Sequence, residues 1–145
     1  MIMASRRKAR ILAFQSLFSW EASEANLQDL VSFSWLDQEK RDAIDEGTAT
    51  FARLLIAGTI ENKEIIDSLI KRHLKNWNID RLNRVDLAIL RMSVYSLQYQ
   101  QDIPASIVID EAIDIAKEYG TDESFRFING VLDAIKKDIQ GGPAA

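Results

Sequence analysis

The sequence predicts an all-α fold, and three observations carry that prediction. Only two prolines and six glycines interrupt the 145 residues, and two of those glycines and one proline fall in the last five positions. Apolar residues recur at helical spacing from end to end, and no period-2 run bounded by turn residues reads as a strand. Hydrophobic residues make up 47% of the chain and charged residues 28%, the balance of a folded domain and not of a disordered one. About seven helices are expected in one domain over residues 1–140, built as two packed helical subdomains of about 1–78 and about 79–140, with 141–145 a frayed tail.

The first helix is expected to start after Ala4 or Ser5, with Ser5 as N-cap, and to place Ile11, Phe14 and Phe18 on one face beside Leu12 and Leu17. It ends in the polar stretch 23–26. Leu27, Leu30, Val31 and Trp35 suggest a short second helix. After the charged run DQEKRD, a third carries Ile44, Phe51, Leu54 and Leu55, with Gly58 marking its end or a close packing point. Asn62 is placed to cap a fourth, on which Ile65, Ile66, Leu69, Ile70 and Leu74 form an apolar stripe. Residues 76–83, polar apart from Trp77, Ile79 and Leu82, read as the join between the halves.

From Arg84 to Gln100 apolar residues occur almost all round the helix, the mark of a central, buried one. Asp102-Ile103-Pro104 breaks it. A sixth helix carries Ile109, Ala112, Ile113, Ala116 and Tyr119 and stops at Gly120 as C′. Thr121 or Asp122 caps the seventh, with Ile128, Val131, Leu132, Ile135 and Ile139 on its inner face. Gly130, in the middle of that helix, costs about 1 kcal/mol relative to Ala and so implies a close helix contact.

Composition also excludes function classes. Without cysteine there is no disulfide, thiolate nucleophile or thiolate zinc site. The single histidine, His73, has no Asp or His at i±4 and reads as a boundary residue. Paired acids at 110–111 and 122–123 read as helix-start charges and solvated faces, and Trp20, Trp35 and Trp77 as core or edge packing. No phosphate loop, nucleophile elbow or metal-spaced cluster is present, so no enzyme, cofactor or metal is implied. No run is long and apolar enough for a membrane span or a signal peptide, and a cytoplasmic protein is expected.

The net charge of −4 conceals an asymmetry: the first 20 residues hold Arg6, Arg7, Lys8 and Arg10 and no acid, whereas the remainder carries −8. Cations in the first turn of a helix oppose its dipole. Guanidinium forks beside free helix amides nevertheless suit phosphate, and that reading is preferred over a solvated terminus. A second candidate is residues 119–130, where a Gly-containing turn leads into Phe125, Arg126 and Phe127. Two aromatics two positions apart on a helix cannot both face the core, so at least one is partly exposed and able to stack a base. The competing reading, the commoner outcome for an isolated pair, is that one packs in the core and the other covers a neighbouring helix.

The segments RRKARILAFQSLFSWE at 6–21, LNRVDLAILRMSVYSL at 82–97 and IPASIVIDEAIDIAKEYGTDESFRFINGVLD at 103–133 resemble the NusB family of bacterial transcription antitermination factors. The resemblance spans Ser5 to about Ile139, and DEAIDIAKEYG followed by RFINGVLD is its most specific part. It implies the NusB-like antitermination fold and a factor that binds boxA RNA of ribosomal RNA leader transcripts in complex with NusE, a small-subunit ribosomal protein. Such a factor joins the RNA polymerase antitermination complex and promotes processive transcription.

By that resemblance the RNA-contacting positions are Arg6, Arg7, Lys8, Arg10 and Phe18 near the N-terminus, with Thr121, Asp122, Glu123, Ser124, Arg126, Phe127 and Asn129 around the start of the last helix. The positions facing NusE are Asp80 and Asp86, which suits an acidic body meeting a basic ribosomal protein. Two departures stand out. Phe18 occupies a place where tyrosine is frequent, removing a hydroxyl, and Phe125 stands where a small or polar residue is usual. A helical protein-binding adaptor without direct RNA contact remains the alternative, and monomer and homodimer are both compatible with the sequence.

Overall fold

A computed structural model describes residues 2–23, 26–75 and 78–141, with side chains from Arg6 onward. Among them are eight α-helices, one 3-10 turn and no strand. Trp77 and the tail beyond Gly141 lie outside the described residues, as does part of the polar stretch 23–26. The chain divides into two compact units, Met1–Glu61 and Asn62–Ala145.

The first unit holds α1 (Ile2–Ser23), α2 (Leu27–Val31), α3 (Gln38–Asp42) and α4 (Glu46–Glu61). Helix α1 packs along α4, and α2 rests on both. Helix α1 begins at Ile2, so Ser5 lies inside it and is not its cap. Its buried face is made by Ala9, Arg10, Ala13, Phe14, Ser16 and Leu17, while Ile11 and Leu12 are half-buried and Phe18 is exposed. The inner face is therefore rotated from the one that the large apolar residues suggest. Small residues admit α4 closely: Ala49 and Ala52 of α4 are buried with Leu55 and Ile56, whereas Leu54 is exposed and Ile44 precedes the helix. Gly58 is a buried position within α4, which continues to Glu61.

Side-chain caps start the other helices of this unit. Asn26, Asp37 and Asp45 accept the backbone N–H groups of Asp29, Lys40 and Thr48 at 2.9, 2.9 and 2.7 Å. Each satisfies an amide that a helix start leaves without a partner. The Asp37 cap turns the charged run into α3, which apolar periodicity does not reveal. Between α2 and α3, Phe33 adopts a positive φ of 57° and is buried, with the Arg53 guanidinium 5.6 Å from its ring centroid and Trp35 edge-on at 6.5 Å. Arg53 also donates to the Val31 carbonyl at 3.0 Å, which fixes the chain as it leaves α2.

The second unit holds α5 (Lys63–Arg72), the 3-10 turn Ile79–Arg81, α6 (Arg84–Tyr99), α7 (Ala105–Tyr119) and α8 (Ser124–Gly141). Helix α6 is central: every residue from Asp86 to Leu97 is buried, and α5, α7 and α8 all pack on it. The division falls after Glu61 and not near residue 78, because α5 is joined to α6. Arg91 of α6 donates Nε and Nη2 to the two carboxylate oxygens of Asp67 of α5 at 2.9 and 3.0 Å. The polar residues 78–83 are thus a connection inside this unit, closed by Asn78 and Asn83, which cap the 3-10 turn and α6. Asn62 precedes α5 but makes no side-chain cap bond, and Ile65 of the expected stripe is exposed while Ile66 and Ile70 are fully buried. His73 does have an acidic partner, supplied through space: its Nε2 lies 2.9 Å from Oδ2 of Asp138 on α8, which Arg72 also contacts at 2.8 Å. Glu111 is buried in the second turn of α7 and is no solvated face.

Candidate nucleic-acid interface

Each unit contributes its own candidate surface. In the first, residues 6–10 lie beyond the opening turn of α1, so the free amides of that turn are upstream of the cations and not beside them. Arg7 and Lys8 are exposed and Arg6 is half-buried. Arg10 differs: it is 1% exposed, and its guanidinium sits 5.6 Å from the centroid of the Phe51 ring of α4. The reason is helical register, since Arg10 stands three and four positions before the buried Ala13 and Phe14. Its place is in the core of the unit, and the expectation that it meets RNA phosphate is corrected accordingly.

At about 100° per residue, Arg7, Ile11 and Phe18 fall within about 40° of one another, on a line about 16 Å long along α1. Phe18 is 37% exposed and leans on Phe14, with ring centroids 6.5 Å apart. This face presents a cation at one end and an accessible aromatic ring at the other. Lys8 stands beside it, and its ammonium faces the loop before α4. There Asp45 has its carboxyl held below the usual range, first by hydrogen bonds from Thr48 and to a lesser degree by the Lys8 charge.

In the second unit, the turn at 120–123 is fixed by Ser124. Its Oγ accepts the Thr121 N–H at 3.0 Å and lies 3.1 Å from Thr121 Oγ1, and the residue is 1% exposed. Ser124 therefore shapes the turn from inside, where its assignment among the RNA-contacting positions would have it open. Gly120 is required for closeness and not for a left-handed backbone: φ is −97°, and a Cβ there would stand 2.6 Å from Ser124 Oγ and 2.8 Å from the Ala116 carbonyl. Helix α8 begins at Ser124, so neither Thr121 nor Asp122 is its cap.

The turn leaves Thr121, Asp122 and Glu123 exposed, followed by exposed Arg126 and Asn129 on one face of α8. Phe125 and Phe127 are both half-buried. Phe125 sits between two cations, Lys117 Nζ at 5.1 Å and Arg126 Cζ at 5.3 Å from its ring centroid. Contact of that kind favours the charged groups and holds the Arg126 side chain over the ring. Gly130 is exposed, with nothing within 4 Å of the place a Cβ would take, so the close helix contact expected there does not exist.

The two acids assigned to a protein partner differ in kind. Asp80 is exposed on the 3-10 turn, with its N–H bonded to Asn78 Oδ1 at 3.1 Å. Asp86 is 7% exposed and reciprocates with Asn83, which accepts its N–H at 2.8 Å and donates Nδ2 to its carboxylate at 3.1 Å. Asp86 is thus built into the start of α6, where its charge also suits the helix dipole. Among the described residues no group of three metal-ligating side chains occurs, and no helix is long and apolar enough to cross a membrane.

The family model described as the NusB family matches residues 7–137. The transcription antitermination protein NusB of Treponema denticola is 54% identical over 132 residues, covering 90% of this chain and 95% of that protein. The Bacillus licheniformis protein of the same name is 44% identical over 135 residues, covering 93% and 98%. Among solved structures, T. maritima NusB superposes with a TM-score of 0.82 at 41% identity, over 92% of this chain and 91% of that one. A chain from the crystal structure of antitermination factors NusB and NusE in complex with dsRNA superposes with a TM-score of 0.83 at 31% identity, over 93% and 98%. With matches of this extent in sequence and in fold, joined to the helical architecture above, the chain belongs to the NusB family.

Proposed function

We propose that this protein is a transcription antitermination factor that binds boxA RNA of ribosomal RNA leader transcripts together with NusE and acts within the RNA polymerase antitermination complex. The observation that carries the reading is the likeness, over 93% of this chain at 31% identity, to a chain from a structure with both NusE and dsRNA. The charge distribution supports it, since the cations of residues 6–10 open a chain that is otherwise strongly acidic. Its place of action is the cytoplasm, and its work is binding and not catalysis.

Arg6, Arg7 and Lys8 supply phosphate contacts along α1, and Phe18 offers a ring for base stacking without a hydroxyl. Thr121, Asp122, Glu123, Arg126, Phe127 and Asn129 form the second contact segment. Arg10 and Ser124 serve that interface indirectly, one by packing α1 against Phe51 of α4 and the other by shaping the turn before α8. Asp80 is the acid open to the basic partner, and Asp86 holds the segment that presents it.

The test is boxA RNA binding by the chain with Arg6, Arg7 and Lys8 changed to Ala. Affinity should fall, and the log–log salt slope should become shallower by about 0.7 for each phosphate that is no longer neutralised. Unchanged affinity and slope, with NusE still bound, would replace this reading by that of a protein adaptor without direct RNA contact.

A further inference from the structure

Beside the cationic start of α1 lies a groove of about 250 Å³, entirely within the first unit, lined by Lys8, Ile11 and Leu12 of α1 and by Ala43, Ile44 and Asp45 ahead of α4. We propose that it receives one unstacked base of a bound single-stranded RNA and prefers a base whose edge carries an amino group. The proposal rests on the RNA-binding reading above and deepens it.

Three features choose this occupant. Ile11, Leu12 and Ile44 are half-buried, so the walls are aliphatic and suited to the faces of a flat heterocycle rather than to a charged group. Lys8 provides a cation at the rim, where the phosphate of the same nucleotide would lie. Ile11 belongs both to this groove and to the Arg7, Ile11, Phe18 face, so a strand following that face passes the groove mouth.

Asp45 supplies the preference. Its Oδ1 accepts the Thr48 amide at 2.7 Å, and a carboxylate has acceptor sites to spare for a second donor. Cytosine, adenine and guanine each present an amino group to such an acceptor. Uracil offers one N–H flanked by two carbonyl oxygens that the carboxylate repels.

The experiment is a fluorescence anisotropy titration of the full chain, alone and with NusE, against a boxA RNA series in which one position at a time is abasic. Wild type should lose about ten-fold in affinity at one position, in line with the stacking of a single base. Ala43→Trp fills the groove from an exposed position, and that penalty should vanish. Asp45→Asn keeps an N-cap residue of equal quality and should reduce the preference for an amino-bearing base over uracil at that position several-fold. Identical abasic profiles in wild type and Ala43→Trp, or base preference untouched in Asp45→Asn, would overturn the pocket while leaving RNA binding intact. Loss of NusE binding in Ala43→Trp with an unchanged RNA profile would assign the groove to a protein instead. No RNA binding by wild type in either arm would overturn the functional reading and the pocket together.

Discussion

The Arg91–Asp67 pair gives the sharpest test of how the second unit is held. Both side chains are largely removed from water, at 6% and 11% exposure, and the contact is a two-point fork at 2.9 and 3.0 Å. Removing one partner from a buried pair strands the other charge, at a cost of about 3–5 kcal/mol. Against a total stability of about 5–15 kcal/mol, that is a large share. At about 3 °C per kcal/mol for a chain of this size, Tm should fall by roughly 10–15 °C. Arg91→Met leaves Asp67 with Lys63 at 3.4 Å, which tempers the cost of that change. The double change Asp67→Asn with Arg91→Met should recover much of the deficit, because no unpaired buried charge remains and Lys63 is left 42% exposed. Urea unfolding of the three variants measures all of this. Single changes costing less than about 1 kcal/mol, or a double variant as weak as the sum of the singles, would refute the argument that burial makes this pair matter.

Three further outcomes follow from local geometry. Gly130→Ala adds a methyl group in open space on an exposed helix position and should stabilise the protein by about 1 kcal/mol in thermal unfolding, where a lower Tm would reveal an unseen neighbour. Gly120→Ala sets a Cβ 2.6 Å from Ser124 Oγ and should destabilise by about 1–3 kcal/mol while loosening the 121–123 turn, read out as weaker RNA binding; wild-type behaviour would show that the turn relaxes freely. Asp138 is held below the usual carboxylate range first by the His73 contact and then by Arg72. Its stabilising contribution is therefore complete above the ordinary carboxylate pKa of about 4 and is lost as pH falls through its depressed native value. The stability gap between wild type and Asp138→Asn should be larger at pH 7 than at pH 2–3, and a gap constant over that range would contradict the sign.

Particular residues show where sequence patterns suffice. Helices α6, α7 and α8 are legible because their apolar positions follow the inner face, as with Ile128, Val131, Leu132 and Ile135, all buried. Helix α1 is legible as a helix but not in its orientation. Its inner face carries Ala9, Arg10, Ala13 and Ser16 beside Phe14 and Leu17, while Phe18 is exposed and Ile11 half-buried, so ranking by hydrophobicity finds only part of that face. Helix α3 escapes the apolar pattern because a cap and not a periodic stripe starts it. The subdomain boundary read from sequence falls too late because the polar run at 76–83 resembles a linker, whereas α5 is committed to α6 by a charge pair between residues 24 positions apart.

The sequence by itself determined the all-helical class, the family, the N-terminal cationic stretch and the segment at 121–129 as the places to look. Those follow from local composition and spacing, which a chain carries before it folds. Only the tertiary structure decided which members of each cluster face outward. Arg10 stands with Arg6, Arg7 and Lys8 in sequence, yet helical register turns it under Phe51, and Ser124 closes the turn that its neighbours present. The physical reason is that a charge or a hydroxyl is identified by its residue, but its accessibility is set by partners contributed from elsewhere in the chain.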